Sequence, residues 1–147
     1  MTTTTIAGIM ALLKTKLEGI QINGADAFGV VLDHADGDFT NYPAAVITES
    51  GGKGQVIDTH RNQRTHEFTI KLYQEQSRAG KDKKKAADTM RAVTDAVLIA
   101  FDKDKDLSDE VDFVRVVEFD TSFKVAAGTF NFATFRVEAV VLVINHN

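Results

Sequence analysis

The chain has 147 residues, 44% hydrophobic and 26% charged, with a formal net charge of −4 and no cysteine. That size and composition suit one packed domain over residues 1–147 and exclude a disordered chain. The acidic balance argues against a protein built to grip nucleic acid. Lack of cysteine removes disulfides, thiolate metal sites and cysteine nucleophiles together.

Thr2 to Thr5 offer N-cap hydroxyls before an apolar series, Ile6, Ile9, Met10, Leu13, Leu17 and Ile20, at helical spacing. The segment lacks a preceding positive region, and Lys14 and Lys16 follow, so it reads as a helix and not as a signal peptide. No run approaches the ~20 apolar residues of a membrane-spanning helix, so a product that is cytoplasmic when made is expected. Glycine and asparagine between Gly19 and Gly24 permit left-handed turn geometry.

Phe28 to Leu32 and Ala44 to Thr48 read as short strands on either side of a polar turn. Ser50 to Gly54 reads as a flexible loop or hairpin tip, with the chain returning from Val56. Phe68, Ile70 and Leu72 alternate with Glu67, Thr69, Lys71 and Tyr73, the pattern of a half-buried strand. Ala86, Met90, Val93, Val97 and Phe101 mark a second helix, and Asp102 to Asp112 an acidic turn. Phe113 to Phe119 reads as a strand, Val125 to Thr129 as a turn or short strand end, and Phe132 to Asn145 as a long last strand. Strands grouped on either side of one helix imply an α+β fold, a mainly antiparallel or mixed sheet with two main helices on one face.

In the last strand, Phe135, Val137, Ala139, Val141 and Val143 should face the helices. The opposite face starts polar at Arg136 and Glu138 and becomes apolar at Val140, Leu142 and Ile144. Either another segment of the chain covers that patch, or a neighbouring subunit does.

Chemistry-bearing motifs fail on inspection. Asp102-Lys103-Asp104-Lys105-Asp106 opens like a calcium loop, but its sixth and twelfth places hold Leu107 and Phe113 where glycine and glutamate are needed. Asp33, Asp36 and Asp38 fit a turn as well as a cation site, and His60 and His66 lack a third metal ligand. No serine lies in a nucleophile elbow, and Ser50 to Gly54 lacks the order of a phosphate loop. The carboxylates at Asp109-Glu110 and Asp102-Asp104 are exposed by context. The basic clusters Arg61, Arg64 and Lys81, Lys83, Lys84, Lys85 lack interleaved aromatics. These features give no expectation of an enzyme, a metal or a cofactor.

The order of elements is informative. An N-terminal helix leads to strands around Tyr42-Pro43-Ala44-Ala45-Val46, then a charged hairpin, then Arg64 to Tyr73, the helix Ala86 to Phe101 and two closing strands. The whole resembles the tail terminator proteins of long-tailed bacteriophages, also called tail completion or neck proteins. The resemblance spans nearly the full chain and rests on element order, not on an invariant motif.

It implies a non-enzymatic subunit of a homo-oligomeric ring, a hexamer, with no cofactor. That ring caps the tail tube protein, ends polymerisation and meets the head-tail connector, while DNA passes through its channel without sequence-specific binding. Location in the virion tail or neck, and in host cytoplasm during assembly, is implied too. Val140, Leu142 and Ile144 are then expected at the subunit interface. Lys53, Arg61 and Arg64 are expected on the loop that faces tube or channel, and the segment Ser50 to Gln63 is expected to be mobile in the free subunit and to order against the tail tube. The alternatives are a head-completion or connector ring, or a small-molecule-binding α+β dimer.

Overall fold

The computed structural model describes residues 5–34, 41–75, 80–105, 107, 111–121, 124–126 and 129–144. Helix α1 (Ile6–Glu18) starts where Thr5 accepts a hydrogen bond from the Gly8 amide at 3.0 Å, the N-cap anticipated from the threonine run. Ile9, Met10, Leu13 and Leu17 form its buried stripe. Past Gly19, Asn23 (φ 54°) and Gly24 (φ 81°) make a left-handed two-residue turn between β1 (Gln21–Ile22) and β2 (Ala25–Asp26).

The main sheet contains β3 (Val30–Leu32), β4 (Ala44–Val56), β5 (Arg61–Glu75), β6 (Phe113–Asp120), β7 (Lys124–Ala126) and β8 (Thr129–Ile144). Its order is β3-β4-β5-β8-β6, with β7 also paired to β8. Among the described residues, only the β3–β4 pair of this sheet is parallel. Helix α2 (Gly80–Lys103) connects β5 to β6 and buries Met90, Val93, Val97 and Phe101. The fold is therefore α+β, with a mixed sheet and two helices against one face.

Strand alternation builds the core. Phe68, Ile70 and Leu72 of β5 join Phe135, Val137, Ala139 and Val141 of β8 beneath the helical stripes. Buried Thr94 satisfies its hydroxyl by donating to the Met90 carbonyl at 2.7 Å. Lys16 ties the helices together: its ammonium pairs with Asp104 at 3.0 Å and lies 5.4 Å from the centre of the Phe101 ring. Asp104 is thus engaged in an ion pair at the end of α2. The leucine at the sixth place of the calcium-like run, Leu107, is buried with φ 48°.

One expectation is overturned. Ser50 to Gly54 is neither a loop nor the hairpin tip; it continues β4, paired with β5 as far as the Val56–Asn62 row. The tip lies at residues 57–60. The glycines serve a bulge between Glu49 and Gly51, where Gly51 takes φ 103°, and a close approach at Gly52, where a Cβ would lie 2.5 Å from the Thr65 carbonyl oxygen. Asp58 closes the turn without glycine. Its carboxylate accepts from the His60 amide at 2.8 Å and from Arg61 Nε at 2.7 Å.

Candidate functional site: an ordered arm and an open sheet face

Strand β6 reaches only the Phe113–Val140 row, whereas β5 and β8 continue to the row that pairs Arg61 with Ile144 and β4 to the Val56–Asn62 row. This extension and its tip form an arm; exposure begins within β4 at Glu49, before the extension, and every residue from 49 to 61 is exposed. Beyond Val46, no described residue pairs with the outer edge of β4. The tip nevertheless has fixed geometry, since Ile57 and Asp58 both donate backbone hydrogen bonds to the Arg61 carbonyl, at 2.9 and 3.2 Å. The Arg61 guanidinium, and then the His60 amide, hold the Asp58 carboxyl below its ordinary value.

Cross-strand register places the six residues singled out in the sequence. Lys53 lies in β4 opposite Thr65, whose other neighbour is Val140, so all three share the face turned away from the helices. Arg61 opens β5 opposite Ile144 on that same face, with its guanidinium 2.7 Å from Asp58. Arg64 pairs with Val141 and belongs to the helix-side face. The three cations thus sit on paired strands, not on a loop, and they divide between two faces. The physical reason is the two-residue period: positions 61 and 64 differ by an odd number.

Val140 and Leu142 do lie on the face opposite the helices. Val140 is only 3% exposed, however, set between Thr65 of β5 and Phe113 of β6 in adjacent strands. Leu142 is half-buried, and its amide donates to the Asp112 carboxylate. The Ile144 side chain lies outside the described residues. Val140 is thus covered laterally within the chain.

Around it the face is charged. Arg136 of β8 lies 3.6 Å from Glu67 and 3.5 Å from Glu118, and Arg115 lies 3.0 Å from Glu138. Such pairs at a solvated surface contribute about 0–1 kcal/mol each, so they set the pattern of charge more than the stability. The row Glu67–Arg136–Glu118 crosses three strands and passed unnoticed in the sequence because its members are about 50 and 70 residues apart; period-2 alternation alone put Arg136 and Glu138 outward.

The remaining candidates disperse. His60 lies in the tip, whereas His66 lies within β5 on the helix side, paired with Gly52 and Ala139. Burial, and secondarily Arg64, lowers the His66 pKa, and its Nε2 has no partner among the described residues. No group of three or more His, Asp or Glu among the described residues is placed to hold a metal ion. Asp33 bonds to His34 at 3.1 Å. Asp36, Asp38, Asp106, Asp109, Glu110 and the side chains of Lys81, Lys83 and Lys84 lie outside the described residues. Lys85 is exposed. Among the described residues, no helix is long and apolar enough to cross a membrane.

A groove of about 480 Å³ runs between α2 and the β6 edge, with Ala87, Leu98 and Phe119 as its apolar lining and Arg91, Thr94 and Asp95 as its polar one. Phe119 is 52% exposed there, although its ring centre lies 6.3 Å from that of buried Phe135. The class defined by this geometry is an α+β domain with one covered sheet face, one open charged face and a projecting arm. No protein-family model matches the chain, and no curated protein matches it.

Proposed function

We propose that this chain is a structural virion subunit of the tail terminator kind. Copies form a ring, a hexamer, that caps the tail tube protein and ends its polymerisation. The same ring offers the head-tail connector a joining surface, in the tail or neck of the virion and, during assembly, in host cytoplasm. The observation that carries this reading is the arm with the strand leading into it: thirteen consecutive exposed residues, 49–61, held by a paired ladder with one bulge and by a hydrogen-bonded tip. An isolated subunit gains little from ordering so much exposed chain, whereas a pre-ordered arm lowers the entropy cost of docking on another macromolecule. The open face, patterned by Glu67, Arg136, Glu118, Arg115 and Glu138, adds a second surface of that kind. A net charge of −4 suits a channel through which DNA slides without adhering.

The test is reconstitution. Purified protein should appear as rings by negative-stain imaging, with a matching mass in solution, and should limit the length of polymerising tail tubes. Rings that bind only a head connector would favour a head-completion role. A single subunit that leaves tube length unchanged would end the proposal.

A further inference from the structure

The arm joins the body of the sheet at the row Gly52–His66–Ala139, one row inside the last that β6 reaches. The central residue of that row is a histidine on the face turned toward the helices. Neither cross-strand neighbour offers it a polar side chain, since Gly52 has none and Ala139 is apolar and fully buried. Two places away along β5 stand buried Phe68 and the cation Arg64. The His66 Nε2 is shut off from solvent and has no hydrogen-bond partner among the described residues. A cleft of about 450 Å³ lies over the row, lined by His66, Gly52, Phe68, Glu49 and Ile6 among others. Ile6 is the first residue of α1, so the cleft marks the place where helical cover ends and the arm begins.

Few charges face the ring. From β5 comes Arg64; Glu67 also lines the cleft, but its carboxylate turns to Arg136 on the open face, at 3.6 Å. From β4 comes Glu49, exposed, paired with Phe68 and not bonded to Nε2. Val137, Ala139 and Val141 of β8 bring no charge, and α1 has no charged side chain before Lys14. A neutral imidazole suits these surroundings, because one of its ring nitrogens carries no proton and needs no acceptor. An added proton places a charged N–H at the enclosed nitrogen, near Arg64 and without an acceptor, at a cost that contact with water removes. Parting β4 from β5 at this row admits that water, and with glycine at position 52 only backbone pairing resists on the β4 side.

We infer that His66 is a proton-operated latch for the arm: its neutral ring closes the arm's root, and its protonation favours an arm loosened from a core that stays folded. The latch lies within one copy and does not depend on the ring proposed above. A loosened arm docks at a higher entropy cost, so mild acid weakens whatever contact the arm makes.

Hydrogen exchange read residue by residue, and corrected for the intrinsic effect of pH, tests the latch. Between about pH 7.5 and about pH 5, amides of residues 51–56 and 61–66 should lose protection by up to about tenfold per pH unit, the limit for uptake of one proton, while those of Phe68, Ile70 and Phe135 keep theirs. In the wild type that loss should follow the titration of the His66 ring, read from its carbon-bound proton shifts. In His66→Gln arm protection should no longer depend on pH, and Glu49→Gln should respond as wild type does. Arm protection that ignores pH in the wild type, or the same acid loss in His66→Gln, would overturn the latch. So would a loss spread evenly over arm and core. Protection that rises in acid and returns to baseline in Glu49→Gln would mean that Glu49 captures the imidazolium and tightens the root, the opposite of the inferred device.

Discussion

Three glycines in four residues of β4 allow a sharp test of the arm, because each is needed, or not needed, for a different reason. At Gly52 a Cβ would lie 2.5 Å from the Thr65 carbonyl oxygen, a backbone atom that cannot swing aside. At Gly54 the same atom would meet nothing within 4 Å, and the backbone is not left-handed there. Gly52→Ala should therefore push the bulged strand away from β5, at a cost typical of overpacking, about 1–3 kcal/mol. Gly54→Ala should be neutral, or stabilising by up to about 1 kcal/mol through the unfolded chain.

Hydrogen exchange is the suitable assay, since an arm opens locally before the core does. With the opening penalty reduced by that overpacking cost, amides of residues 51–56 and 61–67 should exchange about 5- to 150-fold faster in Gly52→Ala. Core amides around Phe68, Ile70 and Phe135 should keep their rates, and Gly54→Ala should match wild type in both regions. Equal behaviour of the two variants, or fast exchange of arm amides already in the wild type, would refute a close-packed, bulged ladder.

Phe135→Ala empties a side chain with no accessible surface and should cost about 3–5 kcal/mol by chemical denaturation. Lys16→Ala removes the Asp104 ion pair and the contact with Phe101; with Asp104 partly solvated, a loss of about 1–2 kcal/mol is expected, and a double-mutant cycle with Asp104→Asn should assign no more than about 1 kcal/mol to the pair. His66 has a pKa lowered by burial, so the unfolded chain binds a proton first as pH falls. Stability should be full above the unfolded value near 6.5 and decline as pH falls through the lower folded value, and His66→Gln should flatten that slope in thermal melts across mildly acidic pH.

The covered face was legible because burial imposes a period that composition cannot hide. The stripe through Ile9, Leu13 and Leu17, and the alternation through Phe68, Ile70 and Leu72, each leave one physical solution. The arm was not legible. Glycine reports permissive backbone without saying whether a turn, a bulge or a close approach uses it, and the sequence of Ser50 to Gly54 suits a flexible loop or hairpin tip where two of those glycines serve the other purposes. Asp58 closes the real tip through its side chain, a signal no stronger in sequence than at any other aspartate. Val140 misled for a related reason: alternation assigns a residue to a face but is silent on whether flanking strands, here bearing Thr65 and Phe113, already cover it.

Long edges normally carry devices that block strand addition, and this sheet carries them unevenly. On one side β6 has a bulge between Val116 and Glu118, charged neighbours and only eight residues. On the other, the bulge of β4 stands near its middle, and the strand then runs regularly from Gly51 to Val56 with Lys53 as its only charge. Self-complementary association has no use for such a difference, because a two-fold axis brings like against like. An asymmetric pair of surfaces on one subunit is what a directional, closing contact needs, and the same asymmetry opposes pairing of the β4 edges across a two-fold axis, where one Lys53 would approach its counterpart.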